Sequence, residues 1–418
     1  MNRRYYKFTI HLESPLSLGS GINENSDHDI IRDSRGLPMI PATSIAGVIS
    51  SDIISDIADE ELKKELKNRL FGCIDGKKSS ASSVVFYDAV CVSKDPVITI
   101  RDSVGLKEDA KVATTGAKFD FEIVETGCDF ETFIELDDNV SDDDEDVIKK
   151  QLAKLHHGIL RFGHKTTRGY GQVSIKGLKK KVFTDVGEWL KFDIYDDAQW
   201  SEQDPIDIDQ INADDNIEEI HLSLNIVGAL SIRSYTTELP EGDKTAPDYT
   251  FLSLHNGKPV IPGTTWAGAF RSRSRKFAGN ENCNPLFGHV VQGTKETHKS
   301  KITFSESIVD GFEEKTVTRN SIDRFSSGTN DGALYTERTF YGGSTELIIK
   351  IPRNTDTISK KALFAVIADL DRGYLSVGGL TAVGHGLFEV SGLKIDNEDF
   401  TDKLKALDLS ALAAGGTQ

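Results

Sequence analysis

The chain has 418 residues, 66 acidic and 49 basic, for a net charge of −17, and 38% of its residues are hydrophobic. That length exceeds one ordinary core and calls for two domains. No apolar run reaches membrane-spanning length, and the basic start Met1-Asn2-Arg3-Arg4 is not followed by an apolar signal core, so a cytoplasmic chain with no membrane partner is expected. The acid is unevenly spread: residues 137–146 hold seven acids and no base, and residues 185–219 hold thirteen acids and Lys191. Both stretches read as loop or linker, the rest is close to neutral, and the composition alone is neutral on a nucleic-acid partner. Cys73, Cys91, Cys128 and Cys283 are scattered without a CxxC pair or zinc spacing. Reduced, buried thiols are expected.

In chain order the sequence reads as two copies of one plan. Tyr6–Leu12 alternates as a strand, and so does Ile220–Ile226. Each is followed by a polar loop with an Asp, then Gly36-Leu37-Pro38-Met39-Ile40-Pro41 or Gly257-Lys258-Pro259-Val260-Ile261-Pro262. Helices are expected to open at Thr43/Ser44 and at Gly263-Thr264-Thr265, where a hydroxyl can cap the helix and free N–H groups can hold a phosphate. Leu70-Phe71-Gly72 matches Leu286-Phe287-Gly288, Val84–Asp88 matches Ile302–Glu306, and Arg101-Asp102-Ser103-Val104 matches Arg319-Asn320-Ser321-Ile322. A Gly-containing irregular stretch and another strand follow each Arg, then amphipathic helices near Val147–Leu160 and Ser359–Leu370. Each copy closes with a Gly-rich loop and a strand, Gly163–Val173 and Gly378–Phe388.

The ordered matches indicate an internal duplication. Strand, helix, strand, extended insert, strand, helix, strand is the ferredoxin-like βαββαβ plan, so the expected class is α+β with two such domains and thumb-like inserts. The expected boundaries are 1–184 for the first domain, 185–218 for an acidic linker, 219–396 for the second domain and 397–418 for a C-terminal tail. Trp189 and Trp200 point to a linker that packs, and the end from Ser410 to Gln418 is expected to fray.

Three motifs, each present twice, resemble the RAMP superfamily of type III CRISPR effector complexes. They are the Asp loop leading into Ile30-Ile31-Arg32-Asp33 and Gly36–Pro41, the Arg-led segments Arg101–Glu125 and Arg319–Glu337, and the Gly-rich loops, of which Gly163–Gly171 is the fuller. The chain is most similar to the backbone subunit that cuts target RNA, here as a tandem fusion like those of the type III-D branch. The resemblance implies a subunit that holds guide RNA beside other effector subunits. A thumb from such a subunit flips a target nucleotide out, and a loop Asp acts at that position on single-stranded target RNA. The matching position is Asp27, and counting back from Pro262 as from Pro41 gives Asp248, each fourteen residues before its proline. Copy two lacks the Arg and second Asp of the Ile-Ile-Arg-Asp step, having Phe251-Leu252-Ser253-Leu254, and has Val383 where copy one has Arg168.

The chemistry asked of these residues is modest. RNA cleaves itself when its 2′-OH is deprotonated and in line with the phosphorus, so a protein supplies orientation, charge stabilisation and a proton acceptor or metal ligand. Asp27 and Asp248 are the candidates, as a base or as ligands of Mg²⁺ or another divalent cation. An isolated loop Asp is otherwise a turn or capping residue. Arg32, Lys165, Arg168, Arg271 and Arg275 are candidate phosphate contacts, with Thr43 and Ser44 as helix-start donors and Gly169 and Gly171 allowing close backbone approach. Phe325 and Leu106 are candidate thumb wedges. Two other functions fit: a structural or capping subunit that binds guide RNA and its neighbours without cutting, and a guide-processing endonuclease acting alone.

Overall fold

The computed structural model describes residues 1–21, 24, 26–55, 57, 59–75, 78–106, 113–201, 203, 205–213, 216–234, 247–291, 293, 294 and 296–415. It is a mixed α+β chain in two compact units. One comprises Met1–Thr99, Phe121–Thr166 and Tyr170–Asp214; the other comprises Ile100–Asp120, Thr167–Gly169 and Asp215–Gln418.

The first unit is built on β1 (Arg3–Leu12), whose alternation buries Tyr6, Phe8, Ile10 and Leu12 on one face. The chain continues through α1 (Ala42–Ser55), α2 (Glu60–Phe71), β2 (Val84–Phe86), β3 (Ala89–Cys91), the strands β4 (Ile98–Leu106) and β5 (Ala113–Val124), which pair with each other and whose residues 100–120 belong to the other unit, then β6 (Asp129–Leu136), α3 (Asp142–His156) and β7 (Val173–Phe183). In the sheet, β1 lies between β7 and β6, and β6 also pairs β2 and β3, all antiparallel. Ile45, Ile49 and Ile53 of α1 and Ile148, Leu152 and Leu155 of α3 close the core over this sheet. The other sheet face carries Tyr5, Phe133 and Phe183, and Trp200 is 2% exposed against them. The acidic stretch after residue 185 is thus anchored by aromatic side chains, as its tryptophans indicated.

The acids at 142–146 are not loop. Ser141 accepts the Asp144 N–H and Asp144 returns a bond to the Ser141 N–H, closing a capping box, and Asp142–Glu145 fill the first turn of α3. Negative charge there is favoured by the helix dipole, so the helix starts five residues before the expected Val147.

The second unit repeats the plan with β8 (Ile217–Val227), α4 (Gly263–Phe287), β9 (Thr303–Phe304), the antiparallel pair β10 (Glu313–Arg319) and β11 (Tyr335–Tyr341), β12 (Ser344–Pro352), α5 (Thr357–Asp371) and β13 (Leu387–Ile395). Its sheet runs β9-β12-β8-β13, the same relative order as in the first unit. Gly279 (φ +75°) breaks α4 into two segments, the counterpart of separate α1 and α2. The register of β1 on β7 slips between Lys7 and Thr9, and that of β8 on β13 slips between Ser223 and Leu224, so the bulge is duplicated as well. The end does not fray over residues 410–415 as expected, and residues 416–418 lie outside the described residues. Thr401–Lys405 and Leu409–Ala414 are helical, with Leu404 and Leu412 buried in the second core. Burying a leucine contributes about 1.5–3 kcal/mol, enough to hold a short terminal helix.

Gly171 (φ +73°) shows how tightly the Gly-rich loop folds on itself: a Cβ there would lie 1.8 Å from the Phe162 carbonyl oxygen. We expect Gly171→Ala to cost more than about 2 kcal/mol, from strain plus the clash. A clear fall in the first unit's urea midpoint would be the readout. Gly177→Ala is the control, since that glycine also has positive φ but nothing within 4 Å of its Cβ position.

Candidate RNA-processing loops

Asp27 is exposed in the loop between β1 and α1, and the loop is organised by its neighbour Asp29. Asp29 is 3% exposed. One of its carboxylate oxygens accepts the Ser26 N–H and Oγ–H, both at 2.8 Å, and the other accepts the Glu24 N–H. Its own carbonyl accepts the Ser20 N–H. A buried carboxylate with three donors fixes the backbone on either side of Asp27 while leaving Asp27 outside.

A second carboxylate ties the loop to the sheet insert. Glu122 on β5 receives the Ile30 N–H at 3.0 Å and both terminal nitrogens of Arg32 at 2.8 Å, one on each oxygen. The Glu122 N–H donates to the His28 carbonyl, next to Asp27. Arg32, expected among the phosphate contacts, is therefore committed to a bidentate pair with Glu122, whose side chain is 6% exposed. Its place is in positioning the Asp loop.

The second unit repeats the arrangement with different partners. Glu337 on β11 accepts Ser231 Oγ–H at 2.8 Å, Arg233 Nε–H at 3.2 Å and an Arg319 guanidinium N–H at 2.8 Å. Burial disfavours its ionisation, but these hydrogen bonds and the Arg233 and Arg319 charges outweigh that and hold its carboxyl below the usual range. Asp248 is exposed and exchanges backbone bonds with the residue before Glu337: its N–H donates to the Thr336 carbonyl, and its carboxylate accepts the Thr336 N–H at 2.7 Å. Each Asp loop is thus laced to a strand at a buried glutamate.

The other candidates are placed as follows. Thr43 and Ser44 lie inside the first turn of α1, and the cap is Asp88, whose carboxylate accepts the Ala42 N–H at 2.7 Å. A carboxylate at that helix start competes with a phosphate, which corrects the expectation of a hydroxyl cap. Lys165 has left-handed backbone (φ +56°), as does its counterpart Leu380 (φ +54°), and its ammonium sits 3.2 Å from the centroid of Phe121. Arg168 is exposed, with no side-chain partner among the described residues. Gly169 approaches the Ser305–Glu306 backbone closely, as Gly263 does the Arg168 carbonyl, so these glycines serve protein packing. In the same unit Arg101 forms a buried pair with Glu306, one nitrogen at 3.0 Å. Arg271 donates to the Gly288 carbonyl and Arg275 to Asn284 Oδ1. Both are half-buried, and these bonds tie them to the bent end of α4. Phe325 is 97% exposed on a turn in which Asp323 accepts the Phe325 and Ser326 N–H groups; the Leu106 side chain lies outside the described residues.

Sequence reading missed Asp29, Asp88, Glu122 and Glu337. Asp88 sat in a matched pair with Glu306, and Glu122 and Glu337 both followed the second glycine of the insert, but their partners lie many residues away.

A family model described as the RAMP superfamily matches residues 9–174 and 242–389. No curated protein matches the chain. No helix among the described residues is long and apolar enough to cross a membrane. The two matched regions fall in order on the two repeats and cover most of the chain, so it belongs to the RAMP superfamily, whose members are CRISPR-associated RNA-binding proteins.

Proposed function

We propose that this chain is a tandem backbone subunit of a type III effector, of the III-D kind, that holds CRISPR guide RNA and cuts complementary target RNA in the cytoplasm. Each repeat is read as a ferredoxin-like βαββαβ domain, supported by the shared strand order β2/β3-β6-β1-β7 and β9-β12-β8-β13. The observation that carries the reading is the repeated lacing of an exposed Asp loop to a strand with a buried glutamate, Asp27 beside Glu122 and Asp248 beside Glu337.

In the proposed mechanism a target nucleotide leaves the stack, which frees its ribose to bring the 2′-OH in line with the adjacent phosphorus. The 2′-oxygen attacks, the bond to the 5′-oxygen breaks, and the products are a 2′,3′-cyclic phosphate and a 5′-hydroxyl. Asp27 either takes the 2′-OH proton or holds a divalent cation. It is an exposed carboxylate, and the oxygens of its buried neighbour Asp29 are already occupied by donors. That suits Mg²⁺, which takes one or two carboxylates and keeps its waters, and which would supply charge stabilisation at the phosphate. Arg168 neutralises backbone phosphate. Phe325 is the wedge of the second repeat, and we expect Phe325→Ala to leave folding unchanged and to reduce target cutting in a complex assay.

A second reading has support at Asp248. Its carboxylate already accepts the Thr336 N–H, which suits a structural role in the second loop. The test is reconstitution of the complex on a guide and exposure to matched RNA with Mg²⁺ or with EDTA. Cutting in Mg²⁺ alone supports the catalytic reading; guide binding without any cutting supports the structural or capping one.

A further inference from the structure

His156 is the last residue of α3 and His157 caps its C-terminus. Asp209 lies in the short turn Ile208–Gln210, held against the first core by buried Ile208. Among the described residues these three form the group able to hold a metal ion, their ligand atoms all within 4.8 Å of one another. His156 Nε2 stands 3.1 Å from Asp209 Oδ1. Two ligands on one tetrahedral zinc stand roughly 3.3 Å apart, so this pair already has the spacing, and a His157 ring nitrogen lies within 4.8 Å of both.

Two further observations point to a cation. The carbonyl end of α3 carries partial negative charge, which favours a positive ion beside its last residues. On the far side of the ring, His156 Nδ1 faces the Ile175 peptide, 3.2 Å from its carbonyl oxygen and 3.0 Å from its nitrogen. A metal-bound imidazole characteristically donates its other N–H to a carboxylate or backbone carbonyl, and the Ile175 carbonyl is in place for that. The same peptide also accommodates the other tautomer, with Nδ1 accepting the Ile175 N–H and Nε2–H donating to Asp209. The two tautomers differ only in which ring nitrogen carries the proton, and the one with Nδ1–H leaves Nε2 free to bind a metal.

We propose that His156, His157 and Asp209 bind a zinc-class divalent transition metal, with water in the fourth position, clamping the acidic segment around residue 209 to the end of α3. Two imidazoles and one carboxylate suit Zn²⁺, Co²⁺ or Ni²⁺ and not the all-oxygen preference of Mg²⁺ or Ca²⁺. The site is far in role from the Asp loops and stands whether or not the chain cuts RNA.

The test uses the full chain, stripped with EDTA, desalted and titrated with Zn²⁺. One equivalent is expected to bind, to raise the thermal midpoint and to slow proteolysis between residues 201 and 213. His157→Ala and Asp209→Asn, both on half-exposed or exposed positions, are expected to weaken Zn²⁺ binding more than about tenfold and to abolish the protection. Failure of the wild-type chain to take up stoichiometric Zn²⁺, or equal uptake by the two variants, would overturn the proposal. The buried cysteines Cys91 and Cys128 are unchanged in both variants, so zinc held by thiols would show as that second outcome.

Discussion

Asp27→Ala is expected to slow target cutting at the first repeat by about 10²–10⁴-fold, the usual range for losing a positioned proton acceptor or its equivalent. Guide binding should be unaffected, because Asp27 is exposed and the loop is held by Asp29 and Glu122. Glu122→Gln separates chemistry from positioning. It keeps the shape but loses the charge that pairs with Arg32 and the Ile30 N–H, so the loop loosens while Asp27 stays. Cutting should fall in that variant too, but with recovery as Mg²⁺ is raised, whereas Asp27→Ala should show none. Single-turnover cleavage of a matched target by the assembled complex measures both. Unchanged cutting in Asp27→Ala would remove this residue from the reaction.

The largest stability effect should come from Lys360→Met in the second unit. Lys360 Nζ lies 2.6 Å from Glu218 Oε2, and the two side chains are 3% and 0% exposed. Burial pushes the Glu218 carboxyl up and Lys360 draws it back, and the second carboxylate oxygen has no partner among the described residues. Removing only the lysine leaves a buried, uncompensated carboxylate, a loss of about 3–5 kcal/mol. For a unit of this size that lowers the thermal midpoint by roughly 10 °C. Lys360→Met combined with Glu218→Gln should recover most of it, since the pair's desolvation cost is then gone as well. Equal midpoints for wild type and Lys360→Met would show that Glu218 is solvated or protonated in the folded chain.

These residues also mark what could be read from the sequence. The strand Tyr6–Leu12, the duplication and the helices were legible because they rest on local periodicity and on repeated order. Glu218 was not: by sequence it closes an acidic run and falls to the linker, while in the fold it opens β8 at 0% exposure, neutralised from 142 residues away. Arg32 was expected to contact phosphate, and its pairing with Glu122 could not be read because the two lie 90 residues apart. The cap of α1 was assigned to Thr43 and Ser44 because local rules favour hydroxyls, but Asp88 reaches in from a strand end. Arg271 and Arg275 were placed on one helix face by their spacing; which way that face turns depends on the break at Gly279. The terminal helices had a usable signal, apolar residues at Leu404, Leu409 and Leu412, masked by the small residues after them.

The most direct test of the central claim maps the ends of target RNA cut by complexes carrying the wild-type chain, Asp27→Ala, Asp248→Ala and the double variant. Two cut positions at a fixed spacing are expected for wild type, with loss of one in each single variant and of both in the double variant. Cut positions that survive in the double variant would contradict that claim.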